Sequence, residues 1–275
     1  KFNEKSIILS NGYLNIERKI KKLDIFYRYA PDNMMWNSSD RWKRIVPNIT
    51  KRDLILTSLK SLKNTILKFS QSNNVDISIY FISDISDKNF DNKINQIFID
   101  SNIDTKFFTS KIKGNRGSFL ECCDQAENSD DLIFFIEDDY IFNENCIEEM
   151  MIAYSRISTL IKHDVFMCPS DYPFYYDSSY KTSLYLGKNY KWRIVYETLL
   201  TFMMSKDLFN KYKKNIRQVG EQVNDPFEKP LHPVFEKEMC LAPVNSLSHH
   251  ISRDHPSVTD EWMDIWNKNY ISFKE

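Results

Sequence analysis

The sequence is poor in glycine: five among 275 residues. No G-x-G-x-x-G and no G-x-x-x-x-G-K-[ST] occurs, which argues against a glycine-cradled phosphate site. Cysteine is equally sparse. Cys122, Cys123, Cys146, Cys168 and Cys240 are odd in number and never spaced C-x-x-C. A zinc ribbon and a disulfide framework are therefore not expected, and reduced thiols in a cytoplasmic setting are. There is no excess of either charge. With 37 basic and 38 acidic residues the net charge is −1, unlike the basic surface of a dedicated nucleic-acid binder. No apolar run approaches the roughly 20 residues that span a bilayer. No signal peptide is visible, and a chain opening on Lys1 rather than Met reads as one from which a leader or an upstream domain has been removed.

What is present is an ordinary globular mixture, 42 % hydrophobic and 27 % charged, long enough for one large domain or two closely joined ones. The first half alternates strand-like and helix-like segments. Residues 23–30, LDIFYRYA, form a short apolar strand that stops at Pro31. Residues 50–69 place Leu54, Leu59, Leu62 and Ile66 at helical spacing behind a capping Thr50. Residues 75–84 alternate like a strand, DTKFFTS is a short strand, and residues 117–128 read as a helix. The most strand-like piece, DLIFFIEDD, precedes a capped helix over residues 143–161. This order predicts an α/β sheet of mostly parallel strands, with the wholly apolar LIFFI at its centre. The second half is less regular: an aromatic stretch YPFYYDSSY, a strand in ETLLTFMM, a helix in SKDLFNKYKKN, a polar segment, LAPVNSLSHHI, and an amphipathic end bearing Trp262 and Trp266. That end predicts packing, with contact to a membrane surface as the alternative. The expected division is residues 1–160 and 161–275, joined through one continuous sheet.

The chemistry concentrates in residues 132–142, LIFFIEDDYIF. Ligands of such sheets bind beyond the carboxyl ends of the strands, which is where Glu137, Asp138 and Asp139 fall. If the strand runs to its tip, Glu137 and Asp139 share one side and Asp138 takes the other. Two carboxylates clear of the sheet suit a hard divalent cation such as Mg²⁺ or Mn²⁺, completed by water and phosphate oxygens. The plainer alternative is an acidic turn that caps the next helix.

The segment NRGSFLECCDQAENSDDLIFFIEDD resembles the centre of a GT-A-fold glycosyltransferase of the nucleotide-sugar-dependent, GT2-like kind. It has an Asn-x-Gly helix start, a polar turn, an apolar strand and an acidic D-x-D-type triplet, here with Glu in the first place. SLSHHI resembles the S-L-x-x-H-I segment of such enzymes, although Ser252 stands where the family has Gly. The resemblance implies a Rossmann-like, mostly parallel sheet flanked by helices, with a smaller acceptor-side C-terminal region. It implies Asp139, Glu137 and His250 as ligands of Mn²⁺ or Mg²⁺. Arg28, Asp84, Asn115, Arg116, Glu137 and Asp138 would surround the nucleotide of a nucleoside-diphosphate sugar. An inverting reaction needs a base on the acceptor side, and Glu221, Asp225 and Glu228 lie in the matching segment, GEQVNDPFEK.

The expected function is metal-dependent hexosyl transfer, with inversion, to a glycan or lipid-linked glycan acceptor of a bacterial surface polysaccharide or glycoconjugate. No nucleic-acid partner is expected; the cytoplasm, at the inner face of the membrane, is the expected place. A sugar nucleotidyltransferase is the competing enzyme class, but YRYAPDNMMWNSSDRWKR has no glycine where that class carries a Gly-rich loop. A non-catalytic carbohydrate-binding relative is the third reading. The rings of YPFYYDSSY offer faces for sugars or for packing.

Overall fold

In the computed structural model, the described residues are 5–9, 12–32, 46, 49–177, 181–252, 258–259 and 261–273. The glycine-free stretch after the first long strand lies mostly outside them, as do the last three residues of YPFYYDSSY.

A hairpin of β1 (Ser6–Leu9) and β2 (Gly12–Asn15) precedes the main sheet. Then come β3 (Lys22–Tyr29), α1 (Lys51–Ser70), β4 (Asp76–Ser83), α2 (Lys88–Phe98), β5 (Asp104–Thr109), α3 (Asn115–Ala126) and β6 (Leu132–Glu137). The second half runs β7 (Tyr140–Phe142), α4 (Cys146–Ile161), β8 (Phe166–Met167), β9 (Leu184–Leu186), β10 (Lys191–Ile194), β11 (Phe202–Ser205) and α5 (Lys206–Glu221). It closes with α6 (His232–Lys237), β12 (Cys240–Pro243), β13 (Ser248–His250) and α7 (Trp262–Asn269).

Among the described residues one nine-stranded sheet has the order β5-β4-β3-β6-β11-β8-β12-β10-β9. Strands β3, β4, β5 and β6 are parallel; β11 pairs antiparallel with both β6 and β8. One sheet therefore crosses from the first half into the second. Leu132 to Ile136 are buried, as an apolar strand inside a sheet covered on both faces requires. Helices α1, α2, α4 and α7 pack together, while α3 packs on α5 and against β3.

Helix α1 shows how the sequence makes such an element. Thr50 accepts from the Asp53 N–H while Asp53 accepts from Thr50, a reciprocal capping box. Leu54, Leu59, Leu62 and Ile66 form its buried stripe, each contributing about 1.5–3 kcal/mol by leaving water. Helix α2 was not anticipated, yet Phe90, Ile94 and Phe98 at four-residue spacing are its buried face behind the Asp87 cap. Two predicted elements are cut short or displaced. ETLLTFMM is a strand only from Phe202, because Leu199 and Leu200 both adopt positive φ. Helix α3 begins at Asn115, behind Gly114 at φ +91°, and Gly117 in its first turn lies so close to Ile112 that a Cβ would meet the Ile112 carbonyl at 1.7 Å. The five cysteines are free and buried. Trp266 packs with Ile49, Leu54, Ile141 and Ile251. Among the described residues no helix is long and apolar enough to cross a membrane.

Candidate active site

Strands β3, β4 and β6 end at one edge. Arg28 lies opposite Glu137, and Tyr29 opposite Ser83, so Arg28, the acidic triplet and Asp84 arrive together. Strand β8 runs the same way as β6, with β11 reversed between them. The loop after β8 therefore emerges at this edge as well.

The strand does not run through the triplet. It ends at Glu137, and Asp138 and Asp139 form the turn into β7, so the expected alternation of side chains gives way to divergence. Each carboxylate meets a different basic side chain. Glu137 Oε1 accepts from Arg28 Nη2 at 2.5 Å. Asp138 accepts from Lys51 Nζ at 2.6 Å and from the Ala30 N–H at 2.8 Å. Asp139 Oδ2 lies 3.2 Å from His250 Nε2, while its Oδ1 is buried with no hydrogen-bond partner.

His250 reaches this position because β13 pairs antiparallel with β7, Tyr140 opposite His250, and the Ile251 N–H donates to the Asp139 carbonyl at 2.7 Å. The imidazole stacks on the Tyr140 ring, centroids 4.7 Å apart and planes 15° apart. His249 faces the other way, buried opposite Ile141, and burial pulls its pKa down to about 4.

The electrostatics follow from crowding three acids in a buried turn. Burial pushes the Glu137 carboxyl up to about 7 against the pull of Arg28, and Asp139 adds to the rise. Burial would also raise Asp139, but His250, with help from Lys51, holds it well below the usual carboxylate range. Burial disfavours the Lys51 ammonium, yet the three carboxylates around it more than restore its affinity for the proton.

The other expected residues divide. Arg28 Nη1 donates to the Asn115 carbonyl at 3.3 Å and also meets its Oδ1, and the guanidinium lies 5.2 Å from the Phe119 ring centroid. Arg28, Asn115 and Glu137 thus form one cluster. Arg116 is committed elsewhere, donating to the Gly220 and Glu221 carbonyls, each at 2.9 Å, at the end of α5. Asp84 is half-buried just beyond β4, its carboxyl raised by burial against the opposing charge of Lys113. Glu221 pairs with Arg217 at 3.2 Å, and Asp225 is exposed. Glu228 is buried and accepts from the Thr198 N–H at 2.8 Å, the Thr198 hydroxyl at 2.9 Å and the Leu200 N–H at 3.2 Å. It clamps the positive-φ turn whose next residue, Thr201, accepts from the Glu137 N–H at 3.3 Å. Phe227 packs edge-on to Phe119, whose ring lies under Arg28, so Phe227 borders the cluster.

Sequence reasoning passed over Lys51, Thr201 and the hydroxyl pair of Tyr140 and Tyr172, 2.6 Å apart. Lys51 carried a signal: a cation at the first position of a helix opposes the macrodipole, and here Asp138 holds it.

Among the described residues no three His, Cys, Asp or Glu side chains form a ready-made metal shell. Asp139 and His250 supply two donors, and Arg28 engages Glu137. Mg²⁺ and Mn²⁺ use few protein ligands, completing the shell with water and phosphate. The buried, unpartnered Oδ1 of Asp139 fits such an ion.

No protein-family model and no curated protein matches the sequence. Solved structures do. Residues 1–349 of S. aureus TarS superpose with a TM-score of 0.51 at 9 % identity, over 82 % of this chain and 59 % of that one. A longer S. aureus TarS structure gives 0.50 at 8 % identity, over 89 % of this chain and 38 % of that one. A UDP-glucose pyrophosphorylase complexed with UDP-glucose aligns more weakly, at 0.47 and 10 % identity, over 91 % and 98 %. At such identities the likeness is one of fold. The chain has a GT-A-type fold: a large, mostly parallel sheet flanked by helices.

Proposed function

We propose that this chain transfers a sugar from a nucleoside-diphosphate sugar to a glycan or lipid-linked glycan, at the cytoplasmic face of a membrane. The Asp139–His250 pair at the carboxyl edge of the parallel strands carries the reading. A divalent cation held there, Mn²⁺ or Mg²⁺, would neutralise the charge that develops on a departing nucleoside diphosphate. The chain's own residues do the rest. Asp84 meets the base or ribose. Arg28, oriented by Asn115 and Glu137, adds positive charge toward the phosphates. Lys51 fixes the turn through Asp138, and β13 covers it, excluding water that would hydrolyse the donor. In an inverting reaction the acceptor hydroxyl must lose a proton. Asp225 takes this role because it is exposed and precedes by two residues Phe227, which packs on Phe119 under Arg28, whereas Glu228 is spent on its turn and Glu221 on Arg217.

The test is release of free nucleoside diphosphate from a panel of UDP-, CDP- and GDP-sugars with Mn²⁺. Asp139→Asn is expected to lower transfer by about 10²–10³-fold or more, the scale of losing an electrostatic stabiliser, with the fold intact. Near-normal turnover by Asp139→Asn in EDTA-treated buffer resupplied with Mn²⁺ would sink the reading. His250→Ala is expected to weaken Mn²⁺ binding in the presence of nucleotide, and His249→Ala to do much less. Pyrophosphate formation from a nucleoside triphosphate and a sugar phosphate would instead mark a nucleotidyltransferase.

A further inference from the structure

A second cluster of buried charge stands at the same edge, in the loop that leaves β8. Asp171 is 1 % exposed and Arg193, on β10, is 6 % exposed. Between them and solvent lies Tyr176, 50 % exposed. Its hydroxyl donates to Asp171 Oδ2 at 2.5 Å, an oxygen that also accepts from the Asn245 N–H at 3.0 Å. The Arg193 guanidinium carbon sits 4.1 Å from the centroid of the Tyr176 ring, and Nη1 donates to the Tyr175 carbonyl at 3.3 Å.

This is a costly way to hold a surface ring. Burying a carboxylate and a guanidinium carries a desolvation penalty that their attraction recovers only with good geometry. Here Arg193 Nη2 is 3.9 Å from Asp171 Oδ1, and neither that oxygen nor Arg193 Nε makes a hydrogen bond. What the arrangement achieves is immobility. One ring face rests on Arg193 and the hydroxyl is tied down, so the solvent exposure falls on the opposite, apolar face. A ring fixed in advance loses little rotamer freedom when something stacks on it.

The loop is also wired to the Asp139–His250 pair. Tyr172 stacks on Phe174, centroids 5.1 Å apart, and shares its hydroxyl contact with Tyr140, the ring under His250. Ser170 and Ser248 hydroxyls, 2.7 Å apart, fasten the loop to β13.

We propose that Tyr176, backed by Arg193 and anchored by Asp171, is a stacking platform for a pyranose ring of the acceptor. The assignment of that sugar to the acceptor rests on the transferase reading above; the platform itself does not. The probes are methyl β-D-glucopyranoside, methyl β-D-galactopyranoside and N-acetylglucosamine, examined by saturation-transfer NMR on the wild type, Tyr176→Phe and Tyr176→Ala. Affinity for UDP, CDP and GDP with Mn²⁺ is measured calorimetrically on the same samples. At least one pyranoside is expected to bind the wild type and Tyr176→Phe, which keeps the ring, and to bind Tyr176→Ala about tenfold more weakly or undetectably. Binding that survives Tyr176→Ala unchanged, or no binding of any of the three sugars to the wild type, overturns the platform. If no nucleotide binds while Tyr176→Ala still loses the sugar, the platform stands and the transferase reading falls. If nucleotides bind and the sugars ignore Tyr176, the reverse holds.

Discussion

Two strand ends at one edge of the sheet handle charge in different ways. After β6, three carboxylates crowd a turn against two fixed cations, Arg28 and Lys51, and a histidine. With all three carboxylates ionised and that histidine neutral, one negative charge is left over. After β8, one carboxylate faces one guanidinium, the charges balance, and their joint product is a clamped aromatic ring. A surplus of buried negative charge suits a site that receives a cation. A balanced buried pair under a rigid ring suits recognition of a neutral surface. Both strand ends rest on the same scaffold, so on the proposed reading the contrast separates chemistry from selection of the acceptor.

The contrast can be broken most strongly at Lys51. Lys51→Met leaves Asp138 buried without its cation, and a loss of about 3–5 kcal/mol is expected from such a change. Urea unfolding reads it as a lower midpoint at unchanged slope, and Lys51→Met combined with Asp138→Leu should recover much of the loss. An unmoved midpoint in the single variant would remove the pair from the scaffold.

Glu228→Gln comes next. It weakens the clamp on Thr198 and Leu200 and confronts their donors with an amide, at an expected cost of ~1–3 kcal/mol. Because Thr201 follows and touches the Glu137 backbone, transfer should fall with it. Full stability and full turnover together would reduce Glu228 to filler.

Asp84→Ala bears on the nucleotide alone. About a tenfold loss of affinity, ~1.4 kcal/mol, is expected by calorimetry, with the melting curve unchanged. Equal affinity would take Asp84 out of the site.

The smallest effect provides a baseline away from the edge. Glu238 accepts from Lys211 at 2.6 Å and Tyr212 at 2.5 Å, and His163 Nε2 lies 2.7 Å away. Burial would raise its pKa, but these contacts outweigh it and hold the carboxyl at about 2. A group depressed on folding stabilises above its ordinary value, 4.5, and that contribution fades as pH falls from there toward 2. Glu238→Gln should therefore be less stable than wild type at neutral pH, with the gap closing across that window. A gap independent of pH would mean the carboxylate's charge contributes nothing.

Legibility in the sequence followed the type of force. The apolar strands β3, β4 and β6 and the capped helix α1 were readable because hydrophobic periodicity and capping are local signals. So was the separation of His249 from His250, since a strand sends neighbours to opposite faces. Helix α2 was equally readable from Phe90, Ile94 and Phe98 and was overlooked. The turn at Asp138 and Asp139 was legible only as the plainer alternative, an acidic turn, and its division was not, because the basic side chains that divide the triplet come from β3, α1 and β13. The positive-φ turn at Leu199 and Leu200 was hidden for the same reason: leucine gives no hint of it, and Glu228, which enforces it, lies far along the chain. The Arg193–Tyr176 cluster joins β10 to the loop after β8, and only its aromatic half stood out.

The pairing of β7 with β13 has a consequence for the order of assembly. Asp139 and His250 are far apart in sequence, so their meeting carries a loop-closure cost that earlier contacts must offset. During synthesis the parallel strands and α1 emerge well before β13. A nascent chain can therefore hold Arg28, Lys51 and the acidic turn in place while the histidine half of the pair is still unmade. On the proposed reading, competence for chemistry would arrive with the closing segment, and the onset of donor turnover would be tied to completion of the fold.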